Sequence, residues 1–372
     1  MKAVAVFPKE REVRVIDDHP EPGPCGPREV KLRMLDVGVC GTDKEICSFE
    51  YGEPPEGADY LVVGHESLGE VVEVGSEVER VRAGDLVVPS VRRPCDDPGC
   101  VACRAGRQDF CYTGRFTERG IAKAHGFMAE LVTDEERYMN VVPRELRDVA
   151  VLVEPLTIAE KALAQVWDVQ ERLPWATPAR GPGGPNGLRA VVLGAGPVGL
   201  LGAMLLVQEG FQTYVYSRSP KPNYKAELTE AFGARYVAAE ETTVEGLART
   251  VGRIDLVYEA VGASRLSFDV LQFLGTNGVF VFTGVPGRKA PVGVDTDLLM
   301  RNLVLKNQAV FGTVNAGRDA FAAAVEDLGK FVGRWPAQVR RMITSRRPPE
   351  DYKELASSKA EGIKNVIAVG GS

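Results

Sequence analysis

The sequence lacks the features that mark an exported, membrane-bound or nucleic-acid-binding protein. Its first residues, MKAVAVFPKEREV, contain no long apolar run followed by a small-residue cleavage site, so we expect no signal peptide and a cytoplasmic location. Basic residues are not in excess, since 45 Lys and Arg stand against 51 Asp and Glu and give a net charge of −6. This balance argues against nucleic acid or an anionic membrane as a partner.

A membrane-spanning segment is not expected either. Residues 190–208 carry no charge and approach the length of a transmembrane helix. They read AVVLGAGPVGLLGAMLLVQ, however, and the Gly-x-Gly-Pro in the middle indicates a buried strand, a tight turn and a buried helix. The chain of 372 residues is 44% hydrophobic and 26% charged. These proportions predict an ordinary folded protein of about two domains and exclude a disordered, collagen-like or disulfide-stapled chain.

The sequence pattern changes along the chain. The first ~155 residues hold short alternating runs, such as VKLRMLDVGV and SLGEVVEVG, between Gly, Pro and Asp turns, which predicts an all-β unit. A segment rich in Pro and Gly at 174–187 is typical of a connector. Beyond it, strand-like runs such as IDLVYEAVG and GVFVFTGV alternate with helical runs. This alternation predicts a doubly wound parallel sheet, so the expected fold class is α/β.

A glycine motif opens the second part of the chain. It lies between the strand-like run LRAVVL and a helical run, and it consists of Gly194, Gly196, Pro197, Val198 and Gly199 with one intervening Ala. In a dinucleotide-binding turn, the first Gly permits a tight turn, the second lets the backbone approach a pyrophosphate, and the third allows close packing of helix on strand. We therefore predict a dinucleotide site here. The alternative is a glycine-rich turn with a purely structural role.

The end of the next strand-like run indicates which dinucleotide is bound. Proteins that bind NAD commonly place an acidic residue there to hold the ribose hydroxyls, but this chain has Ser217, Arg218 and Ser219. An Arg can pair with a 2′-phosphate, and there is no carboxylate to repel it. The sequence therefore favours NADP, with NAD also possible. The alternative is that Arg218 is merely a solvated surface residue.

Four of the seven cysteines lie within residues 95–111; they are Cys95, Cys100, Cys103 and Cys111. In a chain with no export signal, such a cluster favours metal binding over disulfide bonds. Four thiolates in short loops suit a closed tetrahedral zinc site. We expect this site to hold a loop in place without taking part in chemistry.

A second set of metal-ligating residue types is spread along the chain. Cys40 lies in GVCGTDKEI, His65 and Glu66 lie in VVGHESLGEV, and Glu154 lies in LVEPLTIAE. Each interrupts or ends an apolar stretch, where its burial is costly unless it is paired or bound to a metal. Cys, His and carboxylate together are the ligand types of a catalytic zinc site with an open position. For His65 taken alone, a structural role is the alternative.

These motifs together resemble the zinc-dependent medium-chain dehydrogenases over nearly the whole chain. The matching segments are VCGTD, GHE, the four-cysteine segment, the glycine motif and the closing IKNVI. The resemblance implies a GroES-like β-barrel catalytic domain at 1–188, completed by 313–372, and a Rossmann domain at 189–312. It also implies that Cys40, His65 and Glu66 belong to the catalytic zinc site and that the clustered cysteines hold a structural zinc.

A narrower resemblance is to the NAD(P)-dependent glucose 1-dehydrogenases of archaea and some bacteria. It rests on the segments SVRRPC, RQDFCYTGRFTERGIAKAHGFMAE, EPLTIAEKAL and GTVNAGRDAF. In that group the residue matching Glu154 lies at both metal and sugar, and those matching Thr42, Glu118 and Asn315 contact the sugar. By the same likeness Asn315 also borders the nicotinamide, and the cofactor is lined by Thr283, Gly284, Val285, Thr313, Val314 and Lys364.

The resemblance implies oxidation of glucose at C1 to gluconolactone, with NADP reduced and zinc acting as a Lewis acid, in a cleft between the domains. Thr42 would pass the hydroxyl proton towards solvent. We also expect a homo-oligomer, either a dimer or a tetramer. Three alternatives stay open: a zinc-dependent dehydrogenase of another aldose, polyol or alcohol; a redox-inactive NADPH-binding protein on this fold; and a zinc-ribbon module that binds nucleic acid, which the acidic balance disfavours.

Overall fold

The protein divides into two compact units. Unit 1 comprises Met1–Thr157 and Asn315–Ser372, and unit 2 comprises Ile158–Val314. The domain boundaries expected from the sequence stay a prediction, and residues 175–186 of the expected connector lie outside the described residues. The computed structural model describes residues 1–174, 187–287, 291–357 and 361–370.

The N-terminal part of the chain is built mainly from short β-strands. They are β1 (Ala3–Phe7), β2 (Glu12–Ile16), β3 (Glu29–Val39), β4 (Leu61–Val62), β5 (Glu66–Val74), β6 (Leu86–Pro89), β7 (Arg92–Arg93), β8 (Thr117–Arg119), β9 (Lys123–Ala124), β10 (Leu131–Glu135) and β11 (Met139–Val142). The helices are α1 (Gly41–Cys47), α2 (Val101–Arg104) and α3 (Val153–Gln170). Burial alternates along the first eight residues of β3, so this strand covers the core with one face.

Unit 2 alternates strands and helices. Its strands are β12 (Arg189–Leu193), β13 (Gln212–Ser217), β14 (Arg235–Ala238), β15 (Ile254–Glu259), β16 (Leu274–Phe282) and β17 (Ala309–Gly312). Its helices include α4 (Pro197–Gln208), α5 (Tyr224–Ala231), α6 (Val244–Val251), α7 (Ser264–Leu271) and α8 (Thr296–Leu305). The strands run parallel in the order β14-β13-β12-β15-β16-β17. The predicted doubly wound parallel sheet is therefore confirmed.

The uncharged run at 190–208 forms the centre of this sheet. It folds as β12, a turn and α4, in agreement with the sequence analysis. Most residues of β12 and α4 are buried, because a central parallel strand is covered on both faces by helices. Among the described residues, no helix combines the length and the apolar character that crossing a bilayer requires.

The C-terminal part of the chain completes unit 1. Its elements are α9 (Arg318–Arg334), α10 (Pro336–Met342), β18 (Ile343–Arg347), α11 (Tyr352–Ser357) and β19 (Lys364–Ala368). β19 pairs antiparallel with β3 and parallel with β18, so the largest sheet has the order β11-β6-β5-β3-β19-β18, with β10 also paired to β3. Two further sheets have the orders β2-β1-β4 and β7-β8-β9. Buried side chains such as Val4, Leu32, Met34 and Val71 form the core beneath them.

Candidate active site and metal centres

The first cluster of predicted ligands lies where two paired strands of unit 1 meet. β3 ends at Val39, and Cys40 follows it as the N-terminal capping residue of α1. His65 directly precedes β5, which pairs with β3 so that Gly38 lies opposite Glu66. This register brings Cys40 Sγ to 3.2 Å from His65 Nε2. Two predicted ligands that are far apart in sequence are therefore in contact.

Asp43 joins this pair, although the sequence analysis assigned it no role. Ligand atoms of Cys40, Asp43 and His65 lie within 4.8 Å of one another. Asp43 is fully buried; its Oδ2 accepts a hydrogen bond from the backbone N–H of Cys40 at 2.8 Å, and its Oδ1 accepts one from the Tyr352 hydroxyl at 3.1 Å. The local signal was its place as the third residue of the helix, where a carboxylate bonds back to the capping residue. The contact with Tyr352 leaves no such signal in the sequence.

Glu66 and Lys364 form a buried ion pair in the same cluster. The Glu66 carboxylate accepts a hydrogen bond from the Lys364 ammonium, and neither side chain is more than 3% exposed. The ammonium also lies 3.5 Å from the carbonyl oxygen of Val39. Gly38 is needed opposite this pair, because a Cβ there would overlap the Glu66 carboxylate. The predicted roles of Glu66 at the metal and of Lys364 at the cofactor stay predictions.

Glu154, in the first turn of α3, shares the electrostatic environment of this cluster. Burial raises the pKa of Glu154 to about 7; His65 and Lys364 act against this rise, and Glu66 and Asp43 add to it. Burial and the Asp43 carboxylate likewise raise the pKa of the Cys40 thiol. Burial alone would lower the pKa of His65, but Cys40 and Asp43 raise it well above its usual value. The cluster therefore stabilises positive charge at its centre.

The donor set fits a zinc ion. Thiolate, imidazole and carboxylate are the ligand types of catalytic zinc sites, and Cys40 and His65 offer the first two side by side. Nδ1 of His65 is buried and has no hydrogen-bond partner in the part of the chain that the structure describes. A divalent cation here would offset the buried carboxylates and favour the thiolate. Thr42, the predicted proton-handling residue, lies half-buried in the first turn of α1, next to Asp43.

The four clustered cysteines come together in a separate group around α2. Their sulfur atoms lie within 4.8 Å of one another; Cys95 and Cys103 are 3.6 Å apart, and Cys100 and Cys111 are 3.9 Å apart. With Zn–S bonds of about 2.3 Å, tetrahedral sulfur ligands would be about 3.8 Å apart. All seven cysteines of the chain are free thiols. The geometry fits the closed zinc site that the sequence predicts.

Two of the predicted sugar-binding residues also meet in unit 1. Asn315 Nδ2 donates a hydrogen bond to Glu118 Oε1 at 2.9 Å. Arg92, which the sequence analysis did not single out, donates to the same oxygen from Nε at 3.1 Å and from Nη2 at 2.9 Å. The backbone of Asn315 has φ +58°, a left-handed conformation that Asn adopts more readily than most residues. Carboxylate, amide and guanidinium thus form one polar group.

The glycine motif has the geometry of a phosphate-binding turn. Gly194 follows β12 with φ +101°, and a Cβ at Gly199 would overlap the carbonyl oxygen of Gly194. By contrast, a Cβ at Gly196 would meet nothing within 4 Å. Pro197 and Val198 begin α4, and among the described residues no side chain caps the start of this helix. Open space over Gly196 and free N–H groups at a helix start fit a pyrophosphate.

The other predicted cofactor residues of unit 2 lie at the same edge of the sheet. Because the strands are parallel, the residues that follow them share the carboxyl edge, where dinucleotides bind. Arg218 is exposed, and within the described ranges its side chain forms no ion pair. The remaining two predicted cofactor residues, Asn315 and Lys364, belong to unit 1. The residues at the carboxyl edge are Ser217, Arg218 and Ser219 at the end of β13, Thr283, Gly284 and Val285 after β16, and Thr313 and Val314 after β17.

Glu259 organises this edge and was missed by the sequence analysis. It ends β15 and is 1% exposed. Its Oε1 accepts hydrogen bonds from the N–H groups of Val261 and Gly262 at 2.9 and 2.7 Å, and its Oε2 accepts one from Gly284 at 3.0 Å. One carboxylate therefore joins the turns after β15 and β16. A Glu that directly follows the apolar run LVY was the available signal.

Comparison with known proteins gives consistent matches along the chain. A family model described as "Alcohol dehydrogenase GroES-like domain" matches residues 26–144, and one described as "Glucose dehydrogenase C-terminus" matches residues 147–369. The chain is 40% identical to the glucose 1-dehydrogenase of Methanocella arvoryzae, with all of both chains covered, and 41% identical to that of Thermoproteus tenax, with 99% of each covered. The structure of Haloferax mediterranei glucose dehydrogenase in complex with NADP, Zn and gluconolactone matches with a TM-score of 0.88 at 33% identity, over 100% of both chains. The GroES-like match and this structure confirm the predicted fold class.

We expect about two zinc ions per chain, bound at sites that respond differently to mutation. Cys103→Ser opens the closed four-thiol site, so about one zinc should be lost and Tm should fall by about 5 °C or more. Cys40→Ser should also lose about one zinc, but with a smaller fall in Tm, because the Tyr352–Asp43 bond still joins α11 to α1 and the Lys364–Glu66 pair still joins β19 to β5. Elemental analysis and calorimetry measure the two effects.

Cys25→Ser is the matched control for this comparison, since Cys25 lies outside both clusters. It should retain both ions and the native Tm. A native chain that binds no zinc, or a Cys40→Ser chain with its full zinc content, would contradict the assignment of the sites.

Proposed function

The chain belongs to the glucose dehydrogenase family of zinc-dependent medium-chain dehydrogenases, and we propose that it oxidises D-glucose at C1 to gluconolactone with hydride transfer to NADP. The relatives named glucose 1-dehydrogenase and the Haloferax structure with NADP, Zn and gluconolactone support this activity. The single observation that carries the proposal is the cluster of Cys40, His65 and Asp43, which offers zinc ligands in the electrostatic environment of the Glu154 carboxylate.

In this proposal, Cys40 and His65 hold the catalytic zinc, with Glu66 and Glu154 as the carboxylates at the site. Zinc bound there would supply Lewis acidity that makes the anomeric hydroxyl more acidic, and NADP would accept the hydride. Glu118, Glu154 and Asn315 bind sugar hydroxyls, and Thr42 takes the hydroxyl proton towards solvent. Cys40→Ser protein should lack activity, because it loses one of the residues that would hold the zinc. The ammonium group of Lys364 donates a hydrogen bond to the Glu66 carboxylate and so holds it in place.

The sugar is assigned from the polar groups that would face it. A sugar site must satisfy several hydroxyls at once, because a buried polar group that is left unpaired costs about 1–3 kcal/mol. Carboxylates and amides suit this task, since each can accept from more than one hydroxyl. The contact between Glu118 and Asn315 supports a shared role for them. A polyol or another aldose stays the second candidate, because it presents the same kind of hydroxyls.

We expect glucose to be a far better substrate than ethanol, because ethanol leaves Glu118, Glu154 and Asn315 without hydroxyl partners. Glu118→Gln keeps the size of the side chain but removes its charge, so KM for glucose should rise with a smaller change in kcat. Glu154→Gln affects both metal and sugar and should lower kcat/KM more. Spectrophotometric assays of NADPH formation across aldoses, polyols and ethanol measure these effects.

Glu145→Gln serves as the control, since Glu145 is an exposed carboxylate of the same unit. Its kinetic constants should match those of the native chain. A glucose-to-ethanol ratio of kcat/KM near one would place the chain among ordinary alcohol dehydrogenases. No NADPH formation with any sugar, despite bound NADP and zinc, would favour a redox-inactive binding protein.

The cofactor preference is assigned from the end of β13. Ser217, Arg218 and Ser219 offer no carboxylate to hold ribose hydroxyls, and Arg218 is exposed without an ion-pair partner among the residues described. A free guanidinium at this strand end supports recognition of a 2′-phosphate, with which Arg forms paired hydrogen bonds.

Arg218→Ala should weaken binding of NADP and spare NAD. A hydrogen bond to a charged group is worth about 1.5–3 kcal/mol, which corresponds to a loss of roughly ten- to a hundredfold in affinity. Ser217→Asp should add repulsion to the 2′-phosphate and shift the preference to NAD. Titration of each cofactor by fluorescence or calorimetry measures both changes.

Arg249→Ala removes another exposed Arg, from α6, and serves as the control for lost positive charge. It should bind both cofactors as the native chain does. Tighter binding of NAD than NADP by the native chain, together with equal losses for both in Arg218→Ala, would show that this strand end does not select the cofactor.

The proposal includes a homo-oligomer formed through one face of unit 2. Helix α8 has no buried residue, and Met300, Val304 and Leu305 are each 65–70% exposed. The next strand of the chain, β17, lies at the end of the parallel sheet, and its outer edge has no strand partner among the described residues, so it can accept another strand. A second copy of this chain would cover these apolar side chains. The unpaired cysteines support a cytoplasmic location, because thiols stay reduced in that compartment.

Light scattering should give a mass that is a multiple of 40.3 kDa for the native chain, and Val304→Glu should shift it towards the mass of one chain. The reason is that a charge at this place would be buried in the interface. Val141→Glu adds the same charge at an exposed position of unit 1 and should leave the mass unchanged. A native mass of 40.3 kDa would show that the protein is a monomer, and an oligomer insensitive to Val304→Glu would place the interface elsewhere.

A further inference from the structure

Arg92 and Glu118 form a buried pair that the strand register sets. β7 and β8 run antiparallel, and Arg92 lies directly opposite Glu118. Their side chains are 8% and 7% exposed. Directly opposite residues on antiparallel strands point to the same face of the sheet, so the register itself directs the guanidinium at the carboxylate.

The hydrogen bonds to Glu118 are distributed unequally between its two oxygens. Oε1 accepts three, namely from Arg92 Nε, from Arg92 Nη2 and from Asn315 Nδ2, at 3.1, 2.9 and 2.9 Å. Within the described residues, Oε2 accepts none. An ionised carboxylate has about four acceptor positions, so Oε2 keeps its capacity for a hydroxyl. The arrangement fixes the direction in which Glu118 can still accept a hydrogen bond.

Arg92 is itself held on several sides. Its guanidinium carbon lies 3.7 Å from the centre of the Phe116 ring, so the planar group stacks on an aromatic face. Nη1 lies 3.5 Å from the carbonyl oxygen of Asp109, and the carbonyl oxygen of Arg92 accepts a hydrogen bond from Gln108 Nε2 at 3.4 Å. Gln108 and Asp109 lie between Cys103 and Cys111 in the sequence. The four-cysteine segment therefore contacts the residue that holds Glu118.

We propose that Arg92 is a positioning residue for the sugar: it fixes Glu118 and Asn315 as one unit and leaves Oε2 of Glu118 to accept a sugar hydroxyl. This inference rests on the proposed role of Glu118 in binding the substrate. Lysine cannot replace the guanidinium here, because an ammonium group lacks the planar pair of donors and does not stack in the same way. A positive charge at position 92 is therefore not sufficient to position Glu118.

The chain supplies a matched control one residue further along. Arg93 lies on the same strand, and its guanidinium stacks 3.8 Å from the centre of the Tyr138 ring. It forms an ion pair with Asp134, and these side chains are 12% and 8% exposed. Successive residues of a strand point to opposite faces, so this pair does not reach Glu118. It matches Arg92 in burial, stacking and pairing, and differs in its partner.

The test is a double-mutant cycle in the full-length zinc-loaded protein, with initial rates measured over a range of glucose and NADP concentrations. Arg92→Lys should raise KM for glucose at least about tenfold, with a smaller change in kcat and no change in KM for NADP. In the Glu118→Gln background, Arg92→Lys should raise KM for glucose no further, because the carboxylate that it positions is gone. Arg93→Lys should leave KM for glucose unchanged. Arg92→Met repeats the test with the positive charge removed. If Arg92→Met does not fold, Arg92→Lys alone tests the positioning role.

The outcomes separate the two proposals. If Glu118→Gln itself leaves KM for glucose unchanged, the proposed sugar-binding role of Glu118 is wrong and the role of Arg92 falls with it. If Glu118→Gln raises KM but Arg92→Lys does not, the positioning role alone is overturned. Additive increases in the double mutant, or an equal increase in Arg93→Lys, would show that Arg92 acts through general stability and would overturn it as well. Zinc content, measured for every variant, should stay at the native value.

Discussion

Unit 1 depends on ion pairs that are buried between its strands. Burial of an unpaired ion in a protein interior costs roughly several kcal/mol of stability. Removal of one partner of a buried ion pair leaves the other partner in that state. Lys364 with Glu66, Arg92 with Glu118 and Arg93 with Asp134 each join residues from different strands or loops. A slip of one residue in strand pairing would leave such a charge alone inside the core. The charge pairs therefore select the strand register, and the register places the ligand residues.

The candidate sites of the two units are built by different physical means. In unit 2 the predicted phosphate site is made from backbone: a turn with positive φ at Gly194, open space over Gly196 and the N–H groups that begin α4. In unit 1 the candidate sites are made from side chains that are buried and charged. Backbone N–H groups need no opposite charge beside them and depend on the identity of few residues. In a site made of side chains, each group must be held in place by another side chain or by the backbone. This difference explains why unit 1 contains buried charged residues, such as Lys364 and Arg92, that hold the carboxylates of Glu66 and Glu118.

The fold and most candidate ligands could be predicted from the sequence because their signals are local. Alternation of strands and helices, the glycine motif and four cysteines within 95–111 each occupy one short segment. The partners that complete the sites could not be predicted in the same way. Tyr352 and Asp43 are 309 residues apart, and Asn315 and Glu118 are 197 apart, so no window of sequence contains either contact. For Arg92 and Glu259 the signal was a charged residue beside apolar residues. Such a pattern indicates that the side chain is buried, but it does not identify the group with which it forms hydrogen bonds.

The pairing of β19 with β3 sets the order in which the chain can reach its native state during synthesis. Lys364 and Val39 are 325 residues apart, and all of unit 2 leaves the ribosome between them. At a synthesis rate of about 5–20 residues per second, β19 follows β3 after roughly 16–65 s. Until then Glu66 lacks the ammonium group of Lys364 as its partner. Unit 2 is continuous in sequence and can fold during this interval. The nascent N-terminal segment meanwhile exposes an open strand edge, which makes it prone to aggregation until β19 has been synthesised.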